Sequence, residues 1–417
     1  MAEAGTSAKK QAVSYVNILP GDTAPWFAQR STSNPRYVFD TAAGRYLVLC
    51  FLGSGSDDHA QAAIAAAMTR RNIFDDVTAS FFAVTSDPGD ETEKRLRESL
   101  PGYRVFWDFD GLIGRLYGAL PREADPKGGV RARRIWVILD PTLRVLKVIP
   151  FAPDRSDIES FLSCVDGLPP PSRFAGFDLQ APILVLPNVF EDELCRRLIG
   201  LYEKNGGTES GFMREIDGKT VAVQDHNHKR RKDYEIGDEE LIRELQGRFQ
   251  RRVVPQIRKA HQFRVTRMER YIVSCYAAED EAHFRAHRDN TTKGTAHRRF
   301  AVSVNLNDAF DGGEVSFPEY GPRSFKAPPG GAVVFSCSLL HAVSKVTRGR
   351  RYAFLPFLYD DEAAKIRERN NAYLDGGVGA SMPGPARERP RDEKAEEDPE
   401  RPPPRHGGDD GRPCPRQ

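Results

Sequence analysis

Apolar and polar positions divide this chain into two parts with different rhythms. In the first, continuous apolar runs alternate with alanine-rich or amphipathic stretches. Arg45 to Gly53 (RYLVLCFLG) is an unbroken run of the kind expected of a strand buried on both faces. Ser56 or Asp57 then stands where a helix through the alanines to about Arg71 needs its N-cap. The alternation predicts strands at Ala79 to Thr85 and Tyr103 to Trp107, and helices at Glu91 to Leu100 and Asp110 to Ala119. Strands at Arg134 to Leu139 and Val145 to Phe151, and a helix from Asp154 to Val165, complete the part. The expectation is an α/β domain over 15–166 built on a central sheet.

Gly167-Leu168-Pro169-Pro170-Pro171-Ser172 breaks the composition and predicts a stiff linker over 167–178. Beyond it come a strand at Ala181 to Leu186, a helix from Glu191 to Asn205 stopped by Gly206-Gly207, and a long helix from Glu239 to Ala260. Leu241, Leu245, Phe249 and Val253 line one face of that helix. The stretch between the helices reads as a polar loop. From Met268 the pattern shortens to about eight strands: Arg270 to Tyr276, His283 to His287, Arg299 to Leu306, Glu314 to Phe317, Ser324 to Lys326, Ala332 to Phe335, His341 to Val346 and Arg351 to Leu358. Turns fall at Asp311-Gly312-Gly313, Pro328 to Gly331 and Arg348 to Arg350. Short strands so punctuated predict a β-rich double sheet, a jelly roll, over 179–374 with flanking helices. Asp360 to Tyr373 reads as a last helix, and the Pro-, Gly- and charge-rich segment 375–417 as a disordered tail.

Composition narrows the function classes. Sixty-one Lys and Arg against 59 Asp and Glu make no global case for nucleic acid or an anionic membrane. The basic cluster Lys229 to Lys232 reads as a solvated loop. No apolar run approaches the roughly 20 residues that span a bilayer, and the start lacks the apolar core of a signal peptide, so a cytoplasmic protein is expected. Cysteines at 50, 164, 195, 275, 337 and 414 show no CxxC pair, which argues against a disulfide framework or a zinc site. Cys50, Cys275 and Cys337 sit in apolar runs as small hydrophobes.

Candidate chemistry concentrates between His287 and Arg351. His287 and Asp289 are two apart, hence on one side of a strand or its end, and His341 opens a later strand that a jelly roll returns to the same place. Two imidazoles and a carboxylate can hold one face of an octahedral iron(II). Arg351 heads the apolar strand Tyr352 to Leu358, where a guanidinium calls for a buried anionic partner such as a dicarboxylate, and Tyr276 can add a hydroxyl donor. A structural salt bridge and a core-edge position are the plainer roles for these two. His59 is expected on a helix surface, His226 and His228 in the polar loop, and His261, His283 and His297 as surface or packing residues.

These motifs carry two resemblances. His287-Arg288-Asp289, Asp311-Gly312-Gly313-Glu314 and the run His341 to Arg351 closely resemble the prolyl 4-hydroxylase-like branch of the iron(II)/2-oxoglutarate-dependent dioxygenases. That resemblance implies a double-stranded β-helix and an Fe(II) held by His287, Asp289 and His341. It also implies 2-oxoglutarate held by Arg351 with help from Tyr276, ascorbate as reductant, and hydroxylation of an unidentified substrate, with peptidyl proline the best-known target of the family. Gly21 to Phe27, Asp108-Phe109-Asp110-Gly111, Tyr117-Gly118 and Arg134 to Ile138 resemble the peroxiredoxin branch of the thioredoxin fold. The peroxidatic thiol of that family belongs at the helix start, where this chain reads Gly53-Ser54-Gly55-Ser56-Asp57-Asp58. A thiol-less docking or stabilising module is therefore expected, offering a surface to a second copy or another protein. Two alternatives stand beside the hydroxylase: a bifunctional redox protein acting through Cys50, and an iron-binding, oxygen-sensing protein without turnover. Cys414, in the tail, is not expected to be catalytic.

Overall fold

A computed structural model describes residues 14–123 and 132–374. The tail and Cys414 lie outside the described residues.

The first part is a thioredoxin-like α/β fold. Its five-stranded sheet runs in the order Tyr103–Trp107, Ala79–Thr85, Tyr46–Gly53, Ile135–Leu139, Val145–Pro150. The first three strands are parallel, and the last two are antiparallel to their neighbours. Tyr46 to Leu52 is buried throughout, because helices cover both faces of a parallel sheet. The helix Asp58–Met68 starts where expected, with the Asp57 carboxylate accepting the backbone N–H of His59 and Ala60 at 3.0 Å each.

Three expectations here need correction. The helix over Glu91 to Leu100 reduces to Gly89–Thr92, because Lys94 takes a left-handed φ of 55° that turns the chain out of the helix. Asp110 to Ala119 is helical over Leu112–Leu116. His59 is buried, its Nε2 2.9 Å from Asp157, whose other oxygen accepts Trp136 Nε1–H at 2.9 Å.

The second part is a double-stranded β-helix. One sheet has the order Lys229–Arg230, His283–His287, His341–Val343, Val315–Ser316, Ser324–Phe325. The facing sheet runs Arg267–Glu269, Phe357–Tyr359, Phe300–Asn305, Arg348–Phe354, Ile272–Ala277, Lys232–Glu235, Thr208–Glu209, with Ala332–Ser336 and Leu184–Leu186 added beside Phe300–Asn305. Helices Asp192–Asn205 and Glu239–Arg252 back the larger sheet, and Leu241, Leu245, Phe249 and Val253 are buried against it as their spacing predicts.

The long helix breaks at Val253 and resumes as Val254–His261, because Pro255 has no N–H to donate and its ring clashes with the preceding turn. Arg348 to Arg350, expected as a turn, begins the strand Arg348–Phe354, and Pro356 separates this from Phe357–Tyr359. The expected polar loop before Asp238 holds a hairpin, Phe212–Ile216 with Lys219–Val223, and the strands that carry the basic cluster. That cluster is not solvated. Lys229 and Arg231 alternate inward and are buried, while Arg230 and Lys232 stay nearer the surface.

The two parts share a packed face. Leu340 and Ala286 of the barrel lie in the apolar cluster built on Phe39, Leu49, Phe82 and Phe106. At Gly44, φ +93°, a Cβ would stand 2.6 Å from Pro318 Cβ, so only glycine allows the backbones this close.

Candidate active site

Three side chains converge at one end of the barrel. His287 and His341 are cross-strand partners at the end of their ladder, after a register irregularity that follows Phe284. Asp289 lies just beyond the strand, anchored by its own N–H to Cys337 O at 2.9 Å. His287 Nε2 is 3.5 Å from one Asp289 oxygen and His341 Nε2 3.4 Å from the other. The candidate ligand atoms of all three lie within 4.8 Å of one another.

Each imidazole is oriented from behind. Nδ1 of His287 lies 2.7 Å from Arg285 O and Nδ1 of His341 3.0 Å from Leu339 O, so each Nδ1–H donates to a carbonyl and each Nε2 lone pair faces the common centre. Phe284 stacks on His287 with centroids 3.5 Å apart, and Phe335 lies 4.6 Å from His341. Burial, reinforced by the neighbouring His341, lowers His287 to about 4, which keeps it neutral and free to ligate.

Arg351 and Tyr276 are a cross-strand pair, both 1% exposed, with the guanidinium carbon 5.2 Å from the tyrosine ring centroid. Arg351 Nε donates to Asn305 Oδ1 at 3.0 Å and Nη2 to Ser303 Oγ at 2.6 Å. Its Nη1 is buried without a hydrogen-bond partner, and among the described residues no carboxylate pairs with this guanidinium. Burial lowers its pKa. An unsatisfied buried cation fits an anionic ligand, and two imidazoles with a carboxylate fit a divalent cation.

Several neighbours escaped the sequence reading. Arg231 Nη1 donates to the Tyr276 hydroxyl at 3.3 Å, and its Nη2 binds Asp233 at 2.6 Å. Lys229 Nζ donates to Ser210 Oγ at 2.8 Å and Gly211 O at 2.6 Å, 5.0 Å from the Phe284 ring centroid. Ser303 and Asn305 are polar residues two apart in an apolar strand, a spacing that marks one face and could have been noticed. His226 and His228 flank the barrel in a turn; His228 sits 4.3 Å from Phe212 and 6.4 Å from His287, centroid to centroid. His297 is buried against Glu269 at 2.9 Å.

In the first part, Cys50 is wholly buried, and burial pushes its thiol well above the ordinary value. The helix start that would activate a peroxidatic thiol holds Asp57, which is also paired with Arg134.

Residues 237–359 match the family model of the 2OG-Fe(II) oxygenase superfamily. Over 80 residues the chain is 40% identical to a PKHD-type hydroxylase of Cupriavidus metallidurans, covering 17% of this chain and 35% of that relative. A PKHD-type hydroxylase of Gluconobacter oxydans matches over the same extent, with the same identity and coverage. The chain thus spans about a third of the length of these curated relatives. Among solved structures, a prolyl hydroxylase from Trichoplax adhaerens in complex with a hypoxia inducible factor peptide fragment is 15% identical, covering 46% of this chain and 87% of its own, with a TM-score of 0.34. Peroxiredoxin Q of Xanthomonas campestris is 14% identical, covering 34% of this chain and 89% of its own, with a TM-score of 0.29.

Proposed function

We propose that this chain, which carries a 2OG-Fe(II) oxygenase superfamily domain over residues 237–359, is an iron(II)- and 2-oxoglutarate-dependent hydroxylase. The observation that carries the reading is the pairing of the His287, Asp289 and His341 cluster with the unsatisfied guanidinium of Arg351 in one barrel. One half suits a divalent metal, the other a carboxylate.

Iron(II) bound with 2-oxoglutarate supplies, on meeting oxygen, an oxidant that hydroxylates a C–H bond while the keto acid leaves as succinate and carbon dioxide. Around it the side chains bind and orient. His287, Asp289 and His341 would hold the metal, the Nδ1–H bonds to Arg285 O and Leu339 O fixing tautomer and ring angle. Arg351 Nη1 would take the distal carboxylate of 2-oxoglutarate, with Nε and Nη2 already held by Asn305 and Ser303. The Tyr276 hydroxyl accepts from Arg231, which leaves its own proton free to donate to that carboxylate. Phe284 and Phe335 pack against the imidazoles and restrict their rotation.

An amino-acid side chain, peptidyl proline among the candidates, is the substrate class we favour, on the resemblance of His287-Arg288-Asp289 and the run His341 to Arg351 to the prolyl 4-hydroxylase-like branch. Ascorbate as reductant and a cytoplasmic setting belong to the same proposal. Among the described residues no helix is long and apolar enough to cross a membrane.

The test is succinate release from 2-oxoglutarate by iron-loaded protein with ascorbate, run with an untargeted search for products gaining one oxygen. Wild type should give both and Asp289→Ala neither. Absence of succinate across broad peptide and small-molecule screens would favour the oxygen-sensing alternative.

A further inference from the structure

The residue between the first two candidate ligands does not face solvent. Arg288 is buried, and its guanidinium is gripped from both parts of the molecule. Nε donates to Asp40 Oδ2 at 2.9 Å; Asp40 belongs to the thioredoxin-like part, in the short helix Phe39–Ala42. Nη1 and Nη2 reach Glu319 at 3.1 and 2.9 Å, and Nη1 also donates to Ser338 O. The indole of Trp26, again from the first part, lies 4.3 Å from the guanidinium carbon, centroid to atom.

The same Glu319 carboxylate accepts the N–H of Leu340 at 3.1 Å, and the Leu340 side chain is buried in the apolar core of the first part. The backbone on each side of the cluster is therefore tied to one network. Arg288 lies between His287 and Asp289, and Leu340 directly precedes His341.

We propose that the thioredoxin-like part is a positioning element for the metal ligands, acting through Asp40 and Trp26 on Arg288 and through its core on Leu340. The inference rests on the reading of His287, Asp289 and His341 as metal ligands. Side chains at 287 and 289 converge on one centre from a backbone that Arg288 clamps, so a shift of that arginine moves two ligands at once, and loosening Leu340 moves the third. Ligand sets depend on such support, and loss of an outer contact weakens metal binding by roughly ten- to 100-fold. The task this gives the first part needs only its rigidity.

The experiment is a cobalt(II) titration of the full chain, followed by the visible absorption of the bound ion and accompanied by a thermal melt. Wild type should bind one equivalent, and Asp289→Ala should abolish the signal; a wild-type signal insensitive to Asp289→Ala overturns the metal reading itself. Asp40→Asn should weaken cobalt binding about tenfold and alter the absorption band. Asp157→Asn, which breaks a buried network of the same part away from Arg288, should lower the melting temperature but leave affinity and spectrum unchanged. Trp26 is 47% exposed, so Trp26→Ala keeps the fold and should weaken cobalt by about threefold. Wild-type affinity and spectrum in Trp26→Ala and in folded Asp40→Asn, or equal weakening by Asp157→Asn, would overturn the proposal while leaving the metal reading in place.

Discussion

Replacing Arg351 by methionine separates what this residue does for the fold from what it does for a ligand. In the absence of an anion, Arg351 is a buried charge with two hydrogen bonds, to Asn305 and Ser303, and one unsatisfied nitrogen. Removing it leaves two polar side chains short of a partner, a loss of about 1–3 kcal/mol, although Asn305 keeps its bond to Ala327 O. Against this stands relief of an uncompensated buried charge, worth several kcal/mol of desolvation. The ligand-free variant should therefore lie within about 2 kcal/mol of wild type, on either side. Binding of 2-oxoglutarate should suffer far more. One charge-assisted contact contributes about 1.5–3 kcal/mol, so affinity should fall roughly ten- to 150-fold. In a calorimetric melt with manganese, at a ligand concentration near 100 times the wild-type Kd, wild type gains about 2.7 kcal/mol. A variant weakened 100-fold gains about 0.4 kcal/mol. For a domain of this size those figures correspond to upward shifts of about 5–10 °C and 1–2 °C. A variant that melts far below wild type without ligand, yet keeps the full ligand-induced shift, would show that Arg351 is a structural cation and refute the carboxylate role.

Other perturbations test separate parts of the argument. Asp289→Ala should abolish stabilisation of the melt by manganese, and retained stabilisation would place the metal elsewhere. Cys50→Ser should leave peroxide consumption at background, as in wild type, and native protein should resist maleimide labelling at Cys50; rapid labelling would mean that the thiol is reachable despite its burial. In Asp76, burial opposes the charge, but the Arg104 and Ser80 hydrogen bonds prevail and lower the carboxyl to about 2 from an ordinary 3.8. A lowered folded-state value stabilises above the unfolded pKa, so this contribution should vanish as pH falls from about 4 to about 2. The difference in urea midpoint between wild type and Asp76→Asn should shrink over that window; a constant difference would exclude the linkage.

How much of this was legible follows from the reach of each interaction. The strands Ala79–Thr85, Tyr103–Trp107 and His283–His287 could be read because their burial is written in continuous or alternating apolar positions. His287, Asp289 and His341 come together because the strand order returns His341 beside His287, and Arg351 draws notice because a guanidinium is rare at the head of an apolar strand. Local breakers explain the misplaced ends: Lys94 at positive φ, Pro255 within an amphipathic pattern, and Pro356 after Phe354. Tertiary burial explains the larger misses. Lys229 and Arg231 look like a solvated run, since only the strand pairing of Lys229 with Phe284 and of Lys232 with Cys275 shows which way they face.

Arg288 lay furthest out of reach, and the reason bears on the first part of the chain. Its acidic partners, Asp40 and Glu319, stand 248 and 31 positions away, and nothing local distinguishes either from a surface carboxylate. A buried cation held by two carboxylates is a poor source of stability compared with apolar packing, because desolvation offsets most of the attraction. What such a network does supply is a single orientation, since every alternative leaves a charge unpaired in a dry interface. The helix start where a peroxidatic thiol would stand is taken by Asp57, with two backbone amides and Arg134 already satisfied. Its anion-binding capacity is thereby filled from within the chain, and no thiolate draws on it. The specificity in the interface therefore makes physical sense as geometry imposed on His287 and Asp289.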